Sequence, residues 1–156
     1  MTQPLRKLAW DGVTRWIRKK FPKAPAITTQ HLADWLSQGK EPQPWLLDVR
    51  KAEEFAISHL PQARHAPNVN AVLALGLPKH QPMVAYCSVG YRSARLVEQL
   101  QAQGFTQVHN LEGSLFQWVN EGRPVVREGQ PVAVVHPYNS VWGLLLKPTV
   151  ARSSLL

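Results

Sequence analysis

Met83-Val84-Ala85-Tyr86-Cys87-Ser88-Val89-Gly90-Tyr91-Arg92-Ser93-Ala94-Arg95 carries three local signals in a row. Met83 to Tyr86 is a continuous apolar run, the pattern of a parallel strand buried on both faces. Residues 88 to 91 form a short loop containing Gly90. From Ser93 the spacing of Ala94, Leu96, Val97 and Leu100 predicts a helix, closed by Gly104. A strand that delivers a cysteine through a short loop into a helix places it at the carboxyl edge of a sheet. In open α/β folds that edge binds ligands.

The same alternation extends to either side. Thr28 reads as an N-cap before Leu32, Trp35 and Leu36 at helical spacing, and Trp45 to Val49 is a second apolar strand ending near Asp48. Short helices are expected over 51–57, 69–75 and 113–120, a short extended segment over 63–67, and a third strand over 105–111. Strands alternating with helices over about 100 residues predict an α/β fold with a central parallel sheet covered by helices on both faces. Three segments are expected: a basic amphipathic N-terminal helix over 1–25, the α/β domain over 26–125, and a C-terminal extension over 126–156. The extension breaks the rhythm with Pro131, Pro137 and Pro148. It is expected to wrap the domain or reach a neighbouring subunit. His136-Pro137-Tyr138-Asn139 within it reads as a turn with a packed tyrosine.

The chain has 156 residues, 44% of them hydrophobic and 18% charged, enough for one packed domain. Its six tryptophans are expected to anchor the core and its helices rather than to cage a ligand. The net charge of +8 is uneven: residues 1–23 hold seven basic side chains against Asp11, a net +6, which leaves +2 for the rest. Within this arm Leu5, Leu8, Ala9, Val13, Trp16, Ile17 and Phe21 follow one helical face. The arm has two readings: a helix packed on its own domain or on a twin subunit in a homo-oligomer, or a surface (residues 5–23) that adsorbs to an anionic membrane or an acidic partner. On the second reading, deleting residues 1–23 spares the chemistry of the α/β domain but changes location or partner choice. No nucleic-acid-binding motif accompanies the charge. The N-terminus lacks a signal-peptide run and no segment is long enough to span a membrane, so a soluble, cytoplasmic protein is expected.

Cys87 is the only cysteine. An internal disulfide and a cysteine-built metal site are excluded, and the six histidines lack ligand spacing, so no metal is expected. Converging loop amides and a helix N-terminus favour the thiolate over the thiol, so the pKa of Cys87 should fall. Such a thiolate can attack the outer sulfur of thiosulfate and hold it as a persulfide. Arg92 is placed to meet the anionic leaving group, and Arg95 adds charge nearby. A thiophilic acceptor, cyanide or a thiol, then removes the sulfur in a second half-reaction with ping-pong kinetics.

These residues resemble the rhodanese-like family. Cys87-Ser88-Val89-Gly90-Tyr91-Arg92-Ser93 is similar to its C-x-x-G-x-R-S loop, and Leu46-Leu47-Asp48-Val49-Arg50 to its L-I-D-V-R strand. Glu53-Glu54-Phe55 with Ser58-His59-Leu60-Pro61-Gln62-Ala63 resembles the E-x-E-(Y/F)-x-x-G-H-I-P-G-A stretch. Asn110-Leu111-Glu112-Gly113-Ser114, Trp118 and Gly122-Arg123-Pro124 resemble the closing L-x-G-G…W…G-x-P. Ser58, Gln62 and Ser114 stand where that pattern has glycine. The resemblance implies a sulfurtransferase with Cys87 as persulfide carrier, needing no cofactor beyond that covalent intermediate. Its donor is thiosulfate or a persulfide, and its acceptor a small thiophile or a protein thiol. The amides of Ser88, Val89, Gly90, Tyr91, Arg92 and Ser93 form the cradle, and Arg92 contacts the anion. Asp48 and Arg50 lie where the family keeps polar groups near the loop; their other reading is an N-cap and a surface ion pair.

Two alternatives stand beside this one. A non-catalytic rhodanese-like binding or sulfur-relay module could be recruited through the basic helix. A phosphatase of the same fold needs five residues between cysteine and arginine, whereas Cys87 and Arg92 enclose four. An arsenate reductase draws on further thiols, which this chain lacks.

Overall fold

The computed structural model describes residues 1–155. In chain order the elements are α1 (Gln3–Lys20), β1 (Ala26–Thr28), α2 (Thr29–Gln38), β2 (Trp45–Asp48), α3 (Ala52–Ile57), β3 (Arg64–His65), α4 (Val69–Leu73), β4 (Met83–Tyr86), α5 (Tyr91–Ala102), β5 (Val108–Glu112) and α6 (Ser114–Asn120). The tail adds β6 (Val125–Arg127), β7 (Gln130–Val132), β8 (Val134–Val135), a 3-10 turn (Trp142–Leu145) and β9 (Ala151–Arg152).

Five strands form one parallel sheet in the order β1-β5-β4-β2-β3. Successive side chains of a strand point to opposite faces. Thus Leu46, Val84 and Tyr86 join one apolar cluster and Leu47, Met83 and Ala85 the other. The first cluster takes Leu32 of α2, Leu115 and Phe116 of α6, and residues of α1 and the tail. The second takes Val72 of α4 and Leu96, Val97 and Leu100 of α5. Burial on both faces explains why β4 and the first three residues of β2, Trp45 to Leu47, read as apolar runs. Thr28 caps α2 as expected, its Oγ1 accepting from the His31 N–H at 3.1 Å.

α1 packs on its own domain. Trp10, Ile17 and Phe21 are buried in the first cluster, and the Trp10 indole donates to the Leu145 carbonyl at 3.2 Å. This corrects the expected face: Leu5 and Leu8 are exposed, whereas Trp10, absent from that face, is core. The helix is therefore part of the fold. The tail wraps the same side. Asn120 Nδ2 donates to the Leu145 carbonyl at 2.9 Å, and its Oδ1 accepts from the Lys147 N–H at 2.8 Å. Its β6–β7 segment is a hairpin and β8 pairs with β9, order that the sequence reading did not anticipate. Among the described residues no helix is long and apolar enough to cross a membrane.

Candidate active site

β4 ends at Tyr86 beside the Asp48 end of β2, so the parallel register brings Cys87 to the carboxyl edge. The loop it opens is fixed from two sides. The Cys87 N–H donates to Ser114 Oγ at 3.2 Å. The first amides of α6, from Leu115 and Phe116, donate to the carbonyls of Cys87 (3.1 Å) and Ser88 (3.0 Å). Ser114 has φ 49°, the left-handed geometry the family pattern gives to glycine, and Gln62 follows suit at φ 65°. Ser114 adds what glycine cannot: a hydroxyl that accepts from Cys87 and donates to the Leu111 carbonyl at 2.8 Å. Gly90 has φ 111°, a left-handed conformation that glycine adopts without strain.

The Cys87 sulfur receives the Gly90 N–H at 3.1 Å. Ser93 Oγ lies 3.5 Å from it but 2.6 Å from Asn110 Oδ1, and one hydroxyl proton cannot serve both well. Asn110 Nδ2 in turn holds the Gly90 carbonyl at 3.2 Å. Gly90 and Ser93 are thus the amides of the predicted cradle that bear on the sulfur, and Gly90 is the firmer donor. Burial pushes the thiol pKa up, but the Arg92 charge, the Ser93 hydroxyl and the amides of Ser93 and Gly90 outweigh it. The net direction is down, towards the thiolate.

Arg92 does not stand free to face an anion. Its Nη1 and Nη2 donate to Glu54 at 2.8 and 3.0 Å, and Nη2 also donates to Ser88 Oγ at 3.0 Å. Glu54 accepts from the Lys51 N–H at 2.9 Å as well. Burial raises the carboxyl pKa, and the hydrogen bonds and charge of Arg92, with Lys51 and Arg50, more than reverse this, so Glu54 stays ionised. Val89 and Tyr91 line the pocket over the sulfur. Arg95 is exposed, its guanidinium 5.7 Å from the Tyr91 ring centroid.

Asp48 and Arg50 are neither an N-cap nor a surface pair, contrary to that reading. Both side chains are fully buried, with Nη2 2.7 Å from Asp48 Oδ2 and 2.6 Å from the Ser58 carbonyl. They form a polar plug beneath the loop together with Tyr86, whose hydroxyl accepts from the Leu60 N–H at 3.0 Å. A desolvated pair of this kind fixes geometry more than it adds stability.

Glu54, Asn110 and Ser114 lay inside quoted motifs, yet sequence reasoning assigned them no role at the sulfur. A glutamate three residues into a helix that follows a strand was the available signal for Glu54. Nothing local marked Trp16, Tyr138 and Trp142, which also line the pocket.

The model of the rhodanese-like domain matches residues 28–121. The chain is 32% identical over 105 residues to the probable adenylyltransferase/sulfurtransferase MoeZ of Mycobacterium tuberculosis, covering 65% of this chain and 26% of that protein. It thus spans about a quarter of that relative's length. It is 33% identical over 82 residues to a sulfurtransferase of Allochromatium vinosum, covering 52% of this chain and 77% of that one. A rhodanese-like domain protein of Staphylococcus aureus superposes with a TM-score of 0.57 at 30% identity, over 67% of this chain and 98% of that chain. A thiosulfate sulfurtransferase of Pseudomonas aeruginosa, 17% identical, shares the fold with a TM-score of 0.64 over 75% of this chain and 22% of its own. The strand order, the loop around Cys87 and the span of the match agree: this chain belongs to the rhodanese-like domain family.

Proposed function

We propose that this protein is a sulfurtransferase in which Cys87 carries sulfane sulfur from a donor to a thiophilic acceptor. The observation that carries the reading is the seat of the sulfur, buried, met by the Gly90 amide at 3.1 Å and lowered in pKa by the charge of Arg92. In the first half-reaction the thiolate attacks the terminal sulfur of a thiosulfate or persulfide donor. The new S–S bond forms as the donor's own S–S bond breaks, and the electron pair leaves on sulfite or on a thiolate. The persulfide terminus then sits among the loop donors, as an oxyanion sits in its hole. In the second half-reaction cyanide or a thiol attacks that terminus, and the pair returns to the Cys87 sulfur. Two such steps give ping-pong kinetics.

The sulfurtransferase names of the MoeZ and Allochromatium relatives support the reaction class. With Glu54 engaging Arg92 twice, the arginine here serves mainly to order the loop and bias the thiol towards the anion. The test is intact-mass spectrometry after exposure to thiosulfate, followed by cyanide. One added sulfur, about 32 Da, should appear on the parent, vanish on cyanide addition with release of thiocyanate, and be absent from Cys87→Ser. Thiocyanate production by Cys87→Ser at the parent rate would refute the assignment.

A further inference from the structure

The pocket over Cys87 is not built by the family domain alone. Its lining includes Trp16 from α1 and Tyr138 and Trp142 from the tail, together with Val89, Tyr91 and Arg92. All three added aromatics lie outside residues 28–121, the span of the family match. Trp16 stacks on Tyr91 at 4.9 Å between centroids and lies nearly parallel to Trp142 at 6.3 Å. Tyr138 covers the Arg92 guanidinium at 4.8 Å.

Two features set this rim apart from ordinary core packing. Trp16 is 46% and Tyr138 40% exposed, so aromatic surface remains in water at the mouth of the pocket. Tyr138 is also held at φ 66°, a left-handed conformation that costs a non-glycine residue on the order of 1 kcal/mol or more. Strain of this kind tends to gather at ligand-facing positions.

The electrostatics point the same way. Arg92 is offset by Glu54 and its face is covered by Tyr138. Arg95 is exposed, and water and salt screen it. A doubly charged inorganic donor therefore approaches a thiolate beside a guanidinium whose charge Glu54 and the thiolate already share. The pocket measures about 120 Å³, comparable with the ~150 Å³ apolar cavity that admits one benzene ring.

From these observations we infer that the rim formed by Trp16, Tyr138 and Trp142 selects sulfane donors whose sulfur is borne on an apolar, preferably planar, organic group. Inorganic thiosulfate is the poorer donor. The inference rests on the function proposed for Cys87. The donor's organic group lies against the rim while its terminal sulfur reaches the Cys87 sulfur. For a thiosulfonate the Sγ–S bond forms, the bond to the sulfonyl sulfur breaks, and the electron pair leaves on the sulfinate.

The test compares kcat/KM for benzenethiosulfonate and methanethiosulfonate, with cyanide as acceptor, in the full chain and in Trp16→Ala. Taking the ratio of the two donors within each protein and then comparing proteins cancels their intrinsic reactivity. The aryl-to-methyl ratio should fall about 3- to 10-fold in Trp16→Ala, the range set by one aromatic contact. In the parent, benzenethiosulfonate should also exceed thiosulfate. If Trp16→Ala does not fold, Tyr138→Ala reads the same ratio from the tail side. An unchanged ratio, with the parent still forming a Cys87 persulfide from every donor, overturns the rim's role and leaves the sulfurtransferase reading standing. Transfer by Cys87→Ser from these donors would instead overturn that underlying reading.

Discussion

Replacing Glu54 by glutamine tests how the charge on Arg92 is shared between the carboxylate and the sulfur. The Glu54 carboxylate accepts from Lys51 N–H, from both Arg92 terminal nitrogens and, at 3.4 Å, from Ser88 Oγ. Each oxygen faces donors, so a glutamine amide turned either way sets its NH2 group against one of them. Breaking a buried pair costs ~3–5 kcal/mol, but the Arg92 side chain is 22% exposed and can regain water. A loss of about 2–3 kcal/mol follows. In a chain of this size that lowers the melting midpoint by roughly 5–10 °C.

The thiol responds in the opposite sense to stability. In the parent, the Cys87 pKa lies below its unfolded value. The thiolate, and the stability linked to it, is therefore fully present above the unfolded pKa and lost as pH falls through the folded pKa. In Glu54→Gln nothing offsets Arg92, so the midpoint of the pH dependence of Cys87 alkylation should move further down. Iodoacetamide kinetics across pH, on a chain with a single thiol, read this directly. A midpoint that rises or stays put, or a melting temperature equal to the parent's, would refute the reasoning.

Gly90→Ala has room for its Cβ, whose nearest neighbours lie at 3.5–3.6 Å, but it places alanine at φ 111°. It should cost about 1–3 kcal/mol in thermal melts, raise the alkylation midpoint by turning the amide off the sulfur, and reduce persulfide loading; parental behaviour in all three would count against the cradle. Deletion of residues 1–23 removes the buried Trp10, Ile17 and Phe21. At ~1.5–3 kcal/mol each their burial is worth up to roughly 5–9 kcal/mol, comparable with a whole domain's stability, so calorimetry should show loss of the cooperative transition. A truncated chain that melts cooperatively near the parent would return α1 to the role of a detachable arm.

The amino-acid sequence by itself determined the central strands of the sheet and the place of the cysteine, but not edge strand β1, Ala26–Thr28, or the strand order. A parallel strand buried on both faces is apolar on both, so Trp45–Leu47 and Met83–Tyr86 announce themselves, with Asp48 a buried charge at the end of the first. A strand, short loop and helix in succession then leave the intervening Cys87 one place to go. The depressed pKa was legible in direction for the same reason, since loop amides and a helix N-terminus are local to it. Only the tertiary structure decided which charges share the site. Arg92 meets Glu54 across 38 residues, and Trp10 meets Leu145 across 135. Nothing in local periodicity encodes such pairings. On α1 two apolar stripes run side by side, and Trp10 was buried rather than Leu8 because the tail returns to that face. The aromatic rim over the sulfur exists only because both ends of the chain converge there, a meeting set by the packing of the whole and carried by no single motif.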